Sequence, residues 1–407
     1  MSEKRNPALI FIFITLLIDI TGIGIIAPVA PQLIESLTHA STSKASLYAG
    51  ALGAVYSIMQ FFFAPIIGGL SDQYGRRPVL LASLFGFGLD YILVAFAPDI
   101  TWLFIGRILA GILGASFTTA AAYIADVSTP ETRAQNFGII GAAFGMGFIL
   151  GPVIGGLLGS YGVRAPFLAA AALTLINWLY GFFVLPESLK LENRRKFEWK
   201  RANAFGTFKS LSRFPVIAGL LVALSFFYLA SHAVQSNWSF FTEEKFNWDS
   251  KQIGISLGVV GLTFGIVQGV LIRKIIPWLG QEKSVYVGLG MSALGFFLFA
   301  FASQSWMMYA FTAVYSLGGI AGPALQGVIS NTVAANEQGE LQGGLTSLVS
   351  LAAIVGPLVM SGTFYLFTEN YIDGVYFPGA AMLLGAVLAI VSTLLARRTL
   401  KKSLLKA

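Results

Sequence analysis

The stretch "GGLSDQYGRRP", Gly68–Pro78, puts an acid and two arginines between two of the most apolar runs in the chain. A charged turn flanked by two such runs is the pattern of a helical hairpin in a bilayer: about 20 apolar residues cross about 30 Å of hydrocarbon as a helix, and the turn meets water. The rest of the chain repeats the arrangement. Of 407 residues, 56% are hydrophobic and only 11% charged, against about 25% charged in soluble domains. Twelve apolar runs recur, at roughly 7–30, 47–70, 77–97, 101–124, 135–159, 164–185, 214–237, 252–272, 284–302, 305–329, 342–366 and 375–396. They are too long and too uniformly apolar for the alternating strands of a β-barrel. The predicted class is an all-α membrane protein with twelve transmembrane helices.

The first run carries Asp19 in its middle and no small-residue cleavage site, so it reads as a retained span and not as a signal peptide. Cysteine is absent, which excludes disulfides, thiolate catalysis and cysteine metal sites. The net charge of +7 reads as membrane topology and not as nucleic-acid binding. With both termini in the cytoplasm, every Lys and Arg falls on inner segments except Lys44, Arg164, Lys245 and Lys251 in outer loops and Arg107 within a span. The long polar break Pro186–Phe214 divides the spans six and six. This predicts an N-terminal six-helix bundle, 1–187, a cytoplasmic linker, 188–213, and a C-terminal six-helix bundle, 214–407. An offset of about 205 residues relates them: Gly75 falls against Gly280, Glu131 against Glu337, Gly151-Pro152 against Gly356-Pro357, and "AGILG" at 110 against "GGIAG" at 318. Pseudo-symmetric halves place a transporter's binding site at their interface.

A carboxylate at the centre of a membrane helix costs about 2.5 to 3.5 kcal/mol, so it normally faces a cavity or a partner. Asp19 in the first span, Asp90 in the third and Arg107 in the fourth are the charged groups to weigh. Each acid reads either as a structural ion pair or as a proton carrier, since burial and a nearby cation pull a carboxyl in opposite directions and let it exchange a proton for a cationic substrate. Arg107 reads as a counter-ion or as a participant in proton or substrate handling. His232 reads as a hydrogen-bonded structural histidine or as a cavity residue, beside Gln60, Gln235, Asn237, Gln268 and Gln326. In the fifth span Gly147, Gly151, Gly155 and Gly159 share a face, flanked by Pro152 and Gly156; a second helix can approach there closely, as static packing or as a bending contact. In the opening stretch, Gly75 forms the turn and Arg77 meets cytoplasmic water. Arg76 with Asp126, and Asp72 with an adjacent helix N-terminus, are expected to join the inner helix ends. In the linker, basic residues alternate with Phe197, Trp199, Phe205 and Phe208, which reads as a solvated basic segment or as a contact with anionic lipid or a partner.

The opening stretch resembles the signature loop between spans two and three of the major facilitator superfamily. "LFIGRILAGILGA" and "GFILGPVIGG" resemble its fourth-span arginine motif and the fifth-span motif of its antiporters. "DITGIGIIAPVAPQL", "FFTEEKFNW" and "GPALQGVIS" extend the likeness, over nearly the whole chain, to the tetracycline/proton antiporters of the drug:proton antiporter group. The resemblance implies proton coupling at Asp19, Asp90 and Arg107, a substrate path lined by Gln60 and Gln268, a cytoplasmic gate at Asp72, Arg76 and Asp126, and alternating access by rocking of the two halves. The chain departs from that family at two places, where a histidine of the eighth span and an aspartate of the ninth are replaced by Phe264 and Ser292.

The expected function is export of a bulky amphipathic, drug-like compound across the inner membrane of a bacterium, in exchange for protons. One proton moved across 100 mV supplies about 2.3 kcal/mol, enough for a roughly fifty-fold gradient of a neutral solute. An exporter of an endogenous metabolite or siderophore-like molecule, with altered or no proton coupling, is the alternative. The expected partners are a small-molecule substrate, protons and lipid, with no nucleic acid, no cofactor, no metal and a monomeric state. An enzyme or receptor would need a site that two histidines and no phosphate-binding loop do not supply.

Overall fold

The computed structural model describes residues 7–114, 116–129, 132–199, 217–333, 337–369 and 374–404; Glu131 and residues 200–213 of the linker lie outside them, as do Lys4, Arg5 and Lys406. Among the described residues every regular element is helical. In a bilayer this follows from the backbone, whose polar groups find no water and must be satisfied within each segment. The elements are α1 (Pro7–Ile26), α2 (Ala30–Thr38), α3 (Thr42–Tyr74), α4 (Arg76–Ala95), α5 (Ile100–Leu113), α6 (Ser116–Asp126), α7 (Arg133–Gly159) and α8 (Ala165–Val184). After the linker come α9 (Ala218–Gln235), α10 (Trp238–Phe246) and α11 (Ser250–Ile266), which continues through the π-helical turn Val267–Leu271 into α12 (Ile272–Leu279). The chain ends with α13 (Gln281–Phe301), α14 (Ser305–Leu317), α15 (Ala321–Asn331), α16 (Gln338–Thr368) and α17 (Ala380–Leu404).

Eleven helical stretches of the described residues are long and apolar enough to cross a membrane. The twelfth run expected from the sequence, 305–329, is broken: a 3-10 turn, Gly318–Ile320, separates α14 from α15, so neither piece reaches that length. Two consecutive glycines, 318 and 319, cost the backbone helical propensity at that point. Pro28 acts similarly on the first run, where the helix stops at Ile26 and resumes in α2.

The chain divides into two compact units, one drawn from residues 1–39, 55–204 and 249–258, the other from 40–54, 205–248 and 259–407. In the first unit α1 packs along α7 and α8, and α4 along α8, α5 and α6. Its core is Phe11, Ile12, Leu16, Leu80, Leu84, Tyr123 and Ile124. In the second unit α9 packs along α16 and α17, and α13 along α17, α14 and α15, around Leu220, Leu224, Val285, Leu289, Leu325 and Leu341. The pairings correspond between the units, and so do backbone details. Gly75 and Gly280 both precede a helix at positive φ, 105° and 80°. His39 and Asn247 both close a nine-residue helix in the left-handed conformation. Large apolar side chains point outward from the helices, among them Ile176, Phe183, Trp306 and Leu394; the surrounding solvent is lipid.

Candidate functional site

Asp19 lies halfway along α1 and faces a cavity of about 170 Å³ within the first unit. Ile20 and Ile23 of α1, Tyr56 and Gln60 of α3, Phe87 and Tyr91 of α4, Gly114 after α5 and Phe144 of α7 complete its lining. Tyr56 and Gln60, four residues apart, share one face of α3. The Gln60 amide donates weakly to the Tyr56 hydroxyl at 3.4 Å and to the Gly114 carbonyl at 3.5 Å. Tyr91 reaches α1 because residue 22 is glycine: a Cβ there would lie 3.1 Å from the phenol Cζ and closer still to its oxygen.

Asp90 precedes Tyr91 and points elsewhere, since successive residues on a helix diverge by about 100°. It is buried, and its Oδ2 accepts from Arg107 Nη2 of α5 at 3.4 Å. Its Oδ1 has no hydrogen-bond partner among the described residues. A buried ion pair this long, with one oxygen unsatisfied, contributes little net stability. Both cavity phenols lie within electrostatic range of Asp19, Asp90 and Arg107. Of the three charges named from the sequence, Asp19 lines this mainly apolar cavity, and the Asp90–Arg107 pair lies in the same unit without lining it.

The remaining predicted cavity residues belong to the second unit and do not line this pocket. Gln326 donates to the Tyr228 hydroxyl at 2.6 Å, Gln235 is exposed, and Asn237 is wholly buried with no partner for either amide atom among the described residues. The His232 ring rests against Gly356 of α16. Phe264, Gln268 and Ser292 converge on the 3-10 break: Phe264 packs on Gly319, the Gln268 amide reaches the Gly319 carbonyl at 3.5 Å, and Ser292 abuts Gly318. Thr263 and Ser316 share a hydrogen bond of 2.7 Å beside them, and the Tyr315 ring packs at tilted angles against Phe264, Phe296 and Phe299.

The glycines of α7 face two helix segments. Gly147 and Gly151 admit α1, where Cβ atoms would meet Ile20 Cβ at 2.8 Å and the Thr21 carbonyl at 2.7 Å; Gly155 rests on Ile25 in the same way. Gly156 and Pro152 admit the start of α11: a Cβ added at Gly156 would lie 2.5 Å from the Ser250 carbonyl oxygen. Close backbone approach, the use expected of these residues, is thus present on two sides of one helix.

At the α3–α4 turn, Arg76 is buried and holds three groups: Asp72 Oδ1 at 2.6 Å, Ser71 Oγ at 2.6 Å and Asp126 Oδ2 at 3.2 Å. Asp72 does not sit at a helix N-terminus as expected; its second oxygen accepts from Arg195 at 3.0 Å. The N-terminal position of α4 is taken by Glu187, which accepts from the backbone N–H groups of Arg76 at 2.8 Å and Arg77 at 3.3 Å. A carboxylate there complements the helix dipole and its unsatisfied donors. Arg77 donates to the Phe182 carbonyl at 2.7 Å. The start of the linker straps the turn: Arg194 pairs with Glu187 at 3.7 Å, and the Phe197 N–H donates to Gln73 at 2.8 Å. Glu187 and Arg195 were not singled out in the sequence because they lie over 100 residues from Arg76 and Asp72; Arg194 joins them through Glu187. Tyr56 and Tyr91 could have been found there, one a helical turn from Gln60 and the other next to Asp90.

With this geometry in place, comparison with known proteins gives a consistent result. The model of the Major Facilitator Superfamily matches residues 12–357. The chain is 40% identical to the class C tetracycline resistance protein of Escherichia coli over 94% of its own length and 96% of that protein's. It is 36% identical to the class G tetracycline resistance protein of Vibrio anguillarum over 98% of its length and 99% of that protein's. Among solved structures it resembles a bacterial homolog of the human lysosomal transporter Spinster, in an inward-facing and unoccupied conformation, with a TM-score of 0.75 at 16% identity, covering 98% and 99% of the two chains. It also resembles the human organic anion transporter MFSD10, with a TM-score of 0.69 at 24% identity, covering 97% and 100%.

Proposed function

The chain belongs to the major facilitator superfamily, a group of multi-pass membrane transporters and not enzymes, and from this premise we propose that it exports a bulky amphipathic, drug-like compound in exchange for protons. The reading places it in the inner membrane of a bacterium as a monomer, with both termini cytoplasmic. Two six-helix halves, 1–187 and 214–407, alternate access to a central path. The observation that carries the reading is the cavity of the first unit, where the carboxyl of Asp19 stands among Tyr56, Phe87, Tyr91 and Phe144. Aromatic walls suit a large apolar body, and one acid in a low-dielectric site exchanges a proton for a bound solute at little reorganisation cost. The Asp90–Arg107 pair beside it sets the local field. The Arg76 cluster with Asp72, Asp126 and the Gly75 turn serves as a gate, and the glycine face of α7 with Pro152 as the sliding contact.

The similarity to tetracycline resistance proteins supports a drug as substrate. Everted vesicles test the reading: addition of tetracycline or of a panel of amphipathic compounds collapses an imposed pH gradient only when the protein is present. A panel that is transported with no proton movement removes the exchange. A second reading, export of an endogenous metabolite with altered coupling, is favoured by Phe264 and Ser292, which leave the break in the second unit lined by neutral groups. Binding measured on purified protein against drug and metabolite panels separates the two.

A further inference from the structure

We propose that Tyr91 is a positioning residue for the proton carried by Asp19, its phenol holding the carboxyl in both protonation states. The inference rests on the proton-exchange reading above and goes beyond it by naming a group that acts through the acid. Tyr91 lines the cavity together with Asp19, and its hydroxyl abuts α1 at Gly22. Gly22 follows Asp19 by three residues, so the two share one face of α1. A carboxylate only accepts hydrogen bonds, whereas a carboxylic acid also donates one; a phenol answers both, donating in the first case and accepting in the second.

Asp90 is turned toward Arg107 and Gly106 and is not available for this task. The titratable groups around Asp19 are Tyr56 of α3, Tyr91 and Asp90 of α4, and Arg107 of α5. From α7 comes Phe144, and from α8 Asn177, bonded to Thr15; neither titrates. Tyr123 of α6 is engaged with the Pro186 carbonyl. Tyr56, on α3, accepts weakly from Gln60 and keeps its own O–H; Tyr91 is the phenol whose oxygen abuts α1 at Gly22, on the Asp19 face.

The test needs no substrate. Infrared difference spectra between acid and neutral pH are recorded on purified protein in liposomes, and Asp19→Asn identifies the carboxyl C=O band of Asp19 by removing it. Tyr91→Phe is expected to shift that band in frequency and to move the pH range over which it appears. Gly22→Ala, whose methyl displaces the phenol oxygen, is expected to reproduce the shift while Tyr91 remains. Thermal unfolding of both variants, unchanged from the parent, separates this from a packing effect. A band that Asp19→Asn removes but Tyr91→Phe leaves in place overturns the inference alone. Spectra that Asp19→Asn does not alter overturn both the inference and the reading beneath it.

Discussion

The two units share a scaffold and differ in chemistry. Both carry a positive-φ glycine ahead of a helix, at 75 and 280, and a Gly-Pro pair within a long helix, at 151–152 and 356–357. The first unit carries Asp19 at its cavity and the Asp90–Arg107 pair; around the break in the second unit stand Phe264, Ser292, Thr263 and Ser316. Backbone devices persist in both because helix packing needs them in both. Ionisable groups in hydrocarbon are costly and persist where they are used. The comparison breaks most directly at Asp19. Asp19→Asn is expected to lower the proposed proton-coupled export by about a hundredfold or more, the scale of a lost acid-base group, measured as gradient collapse in vesicles. A substitution placing asparagine at Asp90 is expected to do less, because Asp90 does not line the cavity.

The converse experiment charges the second unit. Ser292 is 2% exposed and abuts the backbone of Gly318. Ser292→Asp is expected to destabilise the purified protein by about 3 kcal/mol, the cost of an unpaired acid at membrane depth, seen as a lowered thermal midpoint. A variant as stable as the parent would mean that the neutral lining of the second unit is not a packing requirement.

How far this contrast could be read from the sequence depends on the range of each interaction. Helices were legible because a 20-residue apolar run has few alternatives in a bilayer. The match of Gly75 to Gly280 was legible because only glycine takes that backbone freely. The pairing of Arg76 with Asp126 was legible from equal depth in neighbouring spans. Glu187 was not, since nothing local shows that a residue after α8 returns to the start of α4. That His232, Gln235, Asn237 and Gln326 are not among the lining of the first cavity was also hidden: polarity within a span says that a residue needs a partner, not which face supplies it.

The turns sharpen the comparison at a smaller scale. Arg76 holds Asp72, Ser71 and Asp126; the residue after the second glycine, Gln281, accepts from Asn331 at 2.9 Å. Arg76→Ala is expected to slow transport roughly tenfold, equivalent to about 1.4 kcal/mol, because it leaves two half-buried acids without their shared cation. Gln281→Ala is expected to change the rate by less than about twofold, as loss of one exposed neutral hydrogen bond does. Uptake rates in vesicles at matched expression compare the two directly.

The smallest effect separates the glycines themselves. Gly75 and Gly280 have ψ of 160° and 159° at their positive φ, a region that alanine enters at a cost of about 1 to 3 kcal/mol. Both Gly→Ala variants incur that strain. At Gly280 no described residue lies within 4 Å of the added methyl, whereas at Gly75 it would meet Arg194 Nη2 at 2.7 Å and the Glu187 carboxyl carbon at 2.8 Å. Gly75→Ala should therefore exceed Gly280→Ala in lost thermal stability by about 1 kcal/mol, the scale of one disturbed charge-assisted hydrogen bond. In the Glu187→Gln background the strap is weakened before the methyl arrives, so the excess at Gly75 should shrink toward zero. Equal losses at the two glycines in the parent would mean that the strap yields to the methyl without cost, and that the asymmetry of the turns resides in Arg76 and not in Glu187.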